Sequence, residues 1–327
     1  MPKEFKAIFA QLEARGTVAD ASKLKKHKYQ GLMSTVYTVG SNRGELVVHL
    51  IRPAPEWLRQ RIWEKLLGIG NVLTQYPELP VAPVFISGKL GGTYFLVQKR
   101  LPGTPAGTRA ISGTDVVDMW VGNSSGVLVP QIQKLLGKTH AVPCHGYGIL
   151  QLQKGKLKGE FKTWKEFFES ESEQWLKSIQ AADALTANPS ELRPSYVAAV
   201  AYVKKFLKSV PNTRPSFVHG DAINPSNILI KDKKVTGLID WEWSLAGDPA
   251  WEFCDPGWWN HLDKKSLRPY FTEAKKSRKI DEDEFISRIR TYIPLWIMRG
   301  CRLHSDDPKG ILYTVLRRML SQHLETK

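Results

Sequence analysis

One stretch of the sequence combines acidic and amide side chains at a spacing that suits phosphoryl transfer. Asp221 follows His219-Gly220 on a predicted tight loop, Asn227 precedes the apolar run ILI, and Asp240 ends the next apolar run. A carboxylate on such a loop can orient an attacking hydroxyl and accept its proton. Carboxylate and amide oxygens also suit Mg²⁺, which makes Asn227 and Asp240 candidate metal ligands. The same residues could cap the turns of a β-hairpin, but their order along the chain favours a phosphoryl-transfer site.

The region 218–252 resembles the signature of the aminoglycoside phosphotransferase superfamily, which also includes choline, homoserine and fructosamine kinases. The run GLIDWEWSLAGDPAWEF is similar to the segment that follows the metal-binding Asp in that family. Thr163-Trp164 after Gly146-Tyr-Gly148, and the pair Trp258-Trp259, are similar to the hygromycin-B phosphotransferase branch. A looser likeness extends over residues 28–260.

The resemblance implies an α+β, protein-kinase-like fold of two lobes: a small antiparallel β lobe with one helix, and a larger, mostly helical lobe. It implies ATP (or GTP) and Mg²⁺ as cofactors, and transfer of the γ-phosphate to a hydroxyl of a small molecule. An aminoglycoside or aminocyclitol antibiotic is the leading class of acceptor. By the same likeness Asp221 is the catalytic base, and Asn227 and Asp240 are the metal ligands.

The sequence departs from the family in its catalytic loop. The family places the Asn five residues after the catalytic Asp, whereas Asn227 lies six residues after Asp221. Asn224 lies inside the longer loop and could compete as the ligand. Asn227 stands directly before the ILI strand, which favours it.

A second departure concerns the cation that binds the nucleotide phosphates. The family carries a Lys or Arg on its third strand, and alignment of VVHLIRP places His49 there. A free imidazole has a pKa of about 6.5 and is mostly uncharged at neutral pH. Glu64 falls where the family's helix glutamate pairs with that cation, so the pair with His49 would require protonation. His49 could instead be an ordinary strand residue, with the charge supplied by Lys25, Lys26 or Lys28.

The remaining candidates for nucleotide contact are polar residues around the predicted sheet. The segment from Gly31 to Thr35 has one glycine where the family has a Gly/Ser-rich phosphate loop. We therefore expect the hydroxyls of Ser34 and Thr35 to contribute to phosphate binding. Gln98, near the end of the last predicted strand of this sheet, is a further candidate.

Candidates for acceptor binding follow the catalytic segment. Asp255, Trp258 and Trp259 combine a carboxylate with flat aromatic rings, which suits a polycationic sugar or a quaternary amine. The alternative interpretation is that the tryptophans belong to the core. The net charge of +15 also disfavours long-range capture of a polycation.

The predicted elements follow the same two-lobe order. We expect a helix at 4–15, strands at 32–39, 45–51, 81–87 and 93–99, and a helix at 56–74. The breaker LPGTPAG then separates a nucleotide-binding lobe, 1–101, from a catalytic and acceptor-binding lobe, 102–327. In the second lobe we expect helices at 127–141, 163–183, 191–209, 282–303 and 309–324, with a β-rich island at 216–239.

Composition narrows the class of protein further. The chain has 327 residues and three scattered Cys, which excludes a disulfide framework and fits a reducing, cytoplasmic compartment. No apolar run is long enough to span a membrane. The basic residues are scattered without a nucleic-acid-binding motif, which favours solvated faces. Two alternatives stay open: a nucleotide-binding pseudokinase, and a kinase of another metabolite, choline-like or sugar-like.

Overall fold

A computed structural model describes residues 3–27, 34–51, 56–112, 115–154, 156–186 and 188–325 of the chain. By their internal contacts these residues form two compact units. The first contains the chain up to residue 104 together with 150–158 and 228–243, and the second contains 105–149, 159–227 and 244–327. The predicted lobe boundary after residue 101 remains a prediction.

The helices and strands alternate along the chain in an α+β pattern. The helices are α1 (Lys3–Glu13), α2 (Glu56–Leu73), α3 (Ser125–Thr139), α4 (Trp164–Asp183), α5 (Pro189–Phe206), α6 (Arg268–Ala274), α7 (Glu282–Leu303) and α8 (Ile311–Glu325). The strands are β1 (Ala19–Lys26), β2 (Ser34–Ser41), β3 (Leu46–Ile51), β4 (Val84–Leu90), β5 (Thr93–Lys99), β6 (Thr104–Pro105), β7 (Gly107–Ser112), β8 (Asp115–Trp120), β9 (Tyr147–Gln153), β10 (Lys156–Phe161), β11 (Ser216–Val218), β12 (Ile228–Lys231), β13 (Lys234–Leu238) and β14 (Leu245–Gly247).

The first unit is built on a five-stranded antiparallel sheet in the order β1-β2-β3-β5-β4. Side chains alternate across it because successive strand residues point to opposite faces. On one face Val48 and Val97 join a core with Phe5 of α1. Helix α2 packs against β3, β4 and β5, and its Gly70 lies beside Gln98. The sheet therefore lies between the two helices.

The second unit has an aromatic core. Trp164 of α4 stacks on Phe167 with ring centroids 4.7 Å apart and meets Trp251 edge to face at 6.1 Å. The indole N–H of Trp164 donates to the hydroxyl of Tyr292 on α7, which in turn donates to the buried carboxylate of Asp248 at 2.9 Å. Aromatic pairs of this geometry stabilise a core beyond the area that they bury.

A buried ion pair fixes the last helix of this unit. Arg317 of α8 forms two hydrogen bonds of 2.8 Å with the two carboxylate oxygens of Asp183, at the end of α4. Its guanidinium also donates to the hydroxyl of Ser195 on α5. Breaking such a pair leaves an uncompensated buried charge.

Several elements were not predicted from the sequence. Strand β1 was missed because its residues, ADASKLKK, are mostly exposed and show no apolar alternation, as is common at the edge of a sheet. The hairpins β7–β8 and β9–β10 and the short helix α6 were also missed. The hairpin β7–β8 begins at Gly107, the last residue of the Pro/Gly-rich breaker, and it precedes residue 127 in a stretch for which no element was predicted.

The predicted fold class is confirmed: an antiparallel sheet with its helix is followed by a mostly helical region. Helix α2 and strands β3 and β5 closely match the predicted ranges, whereas β4 begins three residues late. Within the described ranges, no helix combines the length and the apolar character that crossing a membrane requires.

Gly103 provides a test of the packing in the first unit. Its φ is +104°, and a Cβ atom there would lie 2.5 Å from the carbonyl oxygen of Ile230. We expect Gly103→Ala to lower the free energy of unfolding by about 2–5 kcal/mol, because backbone strain adds to overpacking. Gly44→Ala is the matched control, since Gly44 has a φ of +95° but open space around it. Its loss should be about 1–2 kcal/mol. Equal losses in urea denaturation would contradict the close approach at Gly103.

Candidate active site

The loop between β11 and β12 holds the carboxylate of Asp221 between two amide side chains. Oδ2 of Asp221 accepts hydrogen bonds from Nδ2 of Asn227 at 2.7 Å and of Asn224 at 3.1 Å. Nδ2 of Asn227 also donates to the main-chain oxygen of Asp221 at 3.0 Å. A 3-10 turn, Pro225–Asn227, leads into β12. The loop that is one residue longer than expected therefore still brings Asn227 to Asp221.

The two asparagines differ in how their amide oxygens are engaged. Oδ1 of Asn224 accepts from the backbone N–H of Ser226 at 3.2 Å and from its hydroxyl at 2.7 Å, which caps the turn. Oδ1 of Asn227 receives a long contact of 3.5 Å from the same hydroxyl. The oxygen of Asn227 is thus the less engaged of the two.

A buried carboxylate, Glu252, holds the backbone of this loop. It accepts from the N–H groups of His219 at 2.6 Å, Gly220 at 3.1 Å and Ala222 at 3.3 Å. Burial by itself would raise the pKa of Glu252, but His140, His219 and the Gly220 amide outweigh it, so the pKa is lowered. His140 lies beneath the loop, with Nε2 3.6 Å from Glu252 and Nδ1 3.0 Å from the hydroxyl of Tyr270.

An arginine that sequence reasoning missed reaches Asp221 from the hairpin β7–β8. Arg109 is paired in register with Asp118 and bonds to its carboxylate at 2.7 and 2.9 Å. It also bonds to Asp255 at 2.7 and 2.8 Å and to Oδ1 of Asp221 at 3.2 Å. Burial would lower the pKa of Arg109, but Asp255, Asp118 and Asp221 together raise it well above its usual value. No motif around residue 109 signals this role.

The three candidates for acceptor binding lie in different surroundings. Asp255 is buried, bonds to Arg109 and caps a 3-10 turn through the N–H of Gly257. Trp258 is fully buried with its ring 4.9 Å from that of Phe253, as the alternative core interpretation expected. Trp259 is half-buried, and its indole N–H donates to the carbonyl of Cys254 at 3.0 Å. Of the three, Trp259 retains the most accessible surface.

In the first unit, His49 lies on the face of the sheet opposite the α1 core. Its Nδ1 is 3.3 Å from the hydroxyl of Ser34, a buried residue of β2. Burial of the ring, and secondarily the charge of His27, lowers the pKa of His49 to about 4. At neutral pH His49, which the sequence predicts at the position of the family's strand cation, is therefore uncharged.

The other candidates for nucleotide contact are placed as follows. Thr35 is half-buried on β2, opposite Leu50 of β3. The carboxylate of Glu64 accepts from the amide of Gln60 at 2.8 Å, one turn away on α2, while His49 contacts Ser34. The amide of Gln98 donates to the carbonyl of Ala82 at 3.2 Å. Gly31, with Lys28 among the alternative cations, lies outside the described residues.

Asp240 follows β13 in the left-handed region, with a φ of +64°. Such a conformation is uncommon for residues other than glycine and clusters at functional sites. Surrounding protein raises the pKa of Asp240 although the residue remains open to solvent, and the charge of Lys65 acts in the opposite direction. Lys65 of α2 is buried, and its ammonium donates to the carbonyl of Glu242 at 2.5 Å. A buried cation therefore lies near Asp240, on the helix rather than on β3.

Fold and site together define a protein-kinase-like phosphotransferase. Residues 30–279 match the family model described as the phosphotransferase enzyme family, APH. The chain belongs to this family, which confirms the resemblance seen in the sequence and supports the prediction of a small-molecule kinase. No curated protein sequence matches the chain.

Solved structures of similar fold cover nearly the whole chain. Aminoglycoside phosphotransferase APH(4)-Ia superposes with a TM-score of 0.70 at 13% identity, covering 99% of each chain. A thermostable mutant of that enzyme, in a ternary complex with AMP-PNP and hygromycin B, gives 0.69 at 14% identity and 97% of each chain. Macrolide 2′-phosphotransferase MphH from Brachybacterium faecium gives 0.59 at 17% identity, covering 100% of this chain and 99% of that one. At these identities the similarity establishes the fold.

The neutral state of His49 predicts a specific acid sensitivity. The pKa of about 4 in the folded state lies below the value of about 6.5 in an unfolded chain. The unfolded state therefore takes up a proton first, and stability declines as the pH falls from about 6.5 towards 4. His49→Gln should remove this part of the decline in the free energy of unfolding, measured by urea denaturation between pH 7.5 and 5. His145→Gln, at an exposed position, should leave the pH dependence as in the wild type.

Glu252→Gln tests whether Glu252 supports the loop that carries Asp221. The amide has one acceptor oxygen, so an N–H of the loop would lose its partner in a buried place. We expect the free energy of unfolding to fall by about 1–3 kcal/mol, measured by urea denaturation. Glu78→Gln, at an exposed position, should change it by less than about 0.5 kcal/mol. A similar small change in both variants would show that the loop does not depend on Glu252.

Proposed function

We propose that this protein transfers the γ-phosphate of ATP, or of GTP, to a hydroxyl group of a small molecule in a Mg²⁺-dependent reaction. The leading acceptor class is an aminoglycoside or aminocyclitol antibiotic. One observation carries the proposal: in a chain of this family, Asp221 is held by two amides on a loop whose backbone is fixed from beneath. A carboxylate with a fixed orientation is what a catalytic base requires.

In this proposal Asp221 orients the acceptor hydroxyl and accepts its proton. The amides of Asn224 and Asn227 bond to Oδ2, and the contact of Arg109 with Oδ1 is longer, 3.2 Å. A carboxylate oxygen has two lone-pair sites, so Oδ1 can accept from the hydroxyl as well. Holding that hydroxyl in line with the phosphate lowers the activation barrier, because the entropy cost of orienting the two groups is met when the acceptor binds.

Asn227 and Asp240 would hold Mg²⁺. Both residues offer oxygen atoms. The amide oxygen of Asn227 has a long contact of 3.5 Å with the hydroxyl of Ser226, and Asp240 is open to solvent. When bound, the metal ion would neutralise charge on the phosphates. The described residues contain no cluster of three or more His, Cys, Asp or Glu side chains suited to a metal. Two protein ligands nevertheless suffice, because Mg²⁺ usually keeps waters and substrate phosphates in its coordination shell.

The choice of acceptor rests on similarity and on surface exposure. One structure of similar fold contains AMP-PNP and hygromycin B, and another is a macrolide 2′-phosphotransferase. For this chain, Trp259 is the aromatic candidate that keeps accessible surface, whereas Trp258 and Asp255 are engaged within the protein. A sugar or amine acceptor could stack on such a ring. A choline-like or sugar-like metabolite remains the alternative acceptor.

A pseudokinase is the second candidate function, and the neutrality of His49 favours it. A missing charge-assisted contact to phosphate would weaken nucleotide binding or transfer by roughly 10- to 100-fold. Lys65 favours an active kinase instead, because its buried ammonium places a positive charge near Asp240. The two functions differ in phosphate transfer, so one assay distinguishes them.

The decisive experiment measures transfer from [γ-³²P]ATP with Mg²⁺ to a panel of aminoglycosides, macrolides, choline and sugars. We expect the wild type to label one acceptor class and Asp221→Ala to reduce the rate by at least about 100-fold, because the base is lost. Asp306→Asn, at an exposed position, is the control and should keep the wild-type rate. Nucleotide binding without any transfer by the wild type would support the pseudokinase, and equal rates in wild type and Asp221→Ala would contradict the assigned base.

A further inference from the structure

The hairpin β7–β8 carries a side chain that touches the proposed catalytic base. We propose that Arg109 is a positioning residue, which fixes the orientation of Asp221 by tying it to Asp118 and Asp255. This inference rests on the proposed function, since it concerns how that base is presented. It also assigns a role to a hairpin that neither the family motif nor the predicted elements explain.

The hydrogen bonds of Arg109 use the full capacity of its guanidinium. The group has five N–H donors in a planar fork. Nε and one Nη donate to the two oxygens of Asp118, and the two Nη atoms donate to the two oxygens of Asp255. The fifth bond, from Nη1 to Oδ1 of Asp221, is the longest at 3.2 Å. Asp118 and Asp255 therefore fix the plane of the guanidinium. That plane in turn fixes the direction in which Nη1 of Arg109 donates its hydrogen bond to Oδ1 of Asp221.

The hairpin that presents Arg109 cannot shift independently of the catalytic loop. At Gly107 a Cβ atom would lie 2.0 Å from the carbonyl of Met119 and 3.0 Å from Pro225 in the loop. At Gly257 it would lie 2.6 Å from the carboxylate of Asp118. Such close approaches leave little space for movement at the open end of the hairpin, where β7 begins and β8 ends. The hairpin and the loop consequently act as one packed body.

Arg109 and the asparagines act on different oxygens of the same carboxylate. Asn224 and Asn227 donate to Oδ2, whereas Arg109 donates to Oδ1. Bonds to both oxygens restrict rotation of the carboxylate about its χ2 bond, which is otherwise broad. Without Arg109, Oδ1 would lose this bond and three carboxylates would face one another without their shared cation. Their mutual repulsion would turn Asp221 away from its orientation.

A lysine could not replace this arrangement. Its ammonium is a point charge with three donors on a flexible stem, whereas five bonds to three carboxylates need a planar fork. Arg109→Lys should thus keep a positive charge among the three carboxylates but lose the hydrogen bonds that fix the orientation of Asp221. The variant separates a role in positioning from a role in neutralising charge.

The test compares phosphate transfer by wild type, Arg109→Lys and Arg109→Ala, with ATP, Mg²⁺ and the acceptor that the wild type labels in the panel. We expect kcat to fall by about 10- to 100-fold in both variants, because the base is misdirected. The KM for ATP should change by less than about threefold. Added guanidine should restore kcat in Arg109→Ala, since it can occupy the vacated place between Asp118 and Asp255, and it should not restore Arg109→Lys.

Arg317→Ala is the matched control. Arg317 is a buried arginine of the same unit that also bonds both oxygens of one carboxylate, but it lies in the α8 packing. The variant should unfold at a lower temperature, while the kcat of its folded protein stays at the wild-type value and does not respond to guanidine. If Arg109→Ala does not fold, Arg109→Lys alone decides the question.

The outcomes separate the two proposals. A wild-type kcat in folded Arg109→Lys, or a loss in Arg109→Ala that guanidine leaves unchanged, would overturn the positioning role and leave the phosphotransferase intact. A wild type that transfers phosphate to no member of the panel would overturn both. A reduced kcat with an unchanged KM and rescue by guanidine would establish Arg109 as a positioning residue.

Discussion

The arrangement of the loop that carries Asp221 depends on the buried carboxylate of Glu252. Within this tight loop, the backbone N–H groups of His219, Gly220 and Ala222 lie outside any strand or helix, and Glu252 accepts hydrogen bonds from all three. A buried N–H without a partner is costly, so the loop has one favourable path past this side chain. That path delivers Asp221 to its place. His140 and Tyr270 extend the network into the core of the second unit.

A second layer of interactions orients the side chain that the loop delivers. Asn224 and Asn227 hold one oxygen of Asp221, and Arg109 holds the other. The asparagines come from the loop itself, whereas Arg109 comes from a hairpin more than a hundred residues earlier in the chain. Backbone position and carboxylate direction are thus set by separate parts of the protein. Functional side chains in proteins are generally oriented by residues whose own positions are fixed by packing and hydrogen bonds, and the surroundings of Asp221 follow this pattern.

The first unit carries a buried cation on a different element from the one that the family motif predicts. The sequence predicts His49 at the strand position that carries a cation in the family, and burial keeps this imidazole neutral. The adjacent helix provides Lys65, buried and bonded to the carbonyl of Glu242 beside Asp240. Because electrostatic interactions strengthen away from water, a buried ammonium acts strongly on its neighbours. Positive charge is therefore present in this unit, but on a different element from the one that the motif indicates.

The sequence by itself determined those elements whose residues follow a helical or alternating apolar pattern, but not β1, α6 or the hairpins β7–β8 and β9–β10. The helices with apolar periodicity and the strands with alternation were predictable, because their signals come from residues close together in the chain. The roles of Asp221 and Asn227 stay predictions from the motif. The same kind of local motif predicted the family, which the match of residues 30–279 to the family model confirms. Only the tertiary structure decided which side chains reach the site and which enter the core. Arg109 and Asp255 are 146 residues apart, and Trp258 is buried against the core although its sequence suited a binding surface. Burial and pairing over such separations depend on how elements pack, and no local pattern of residues records that packing.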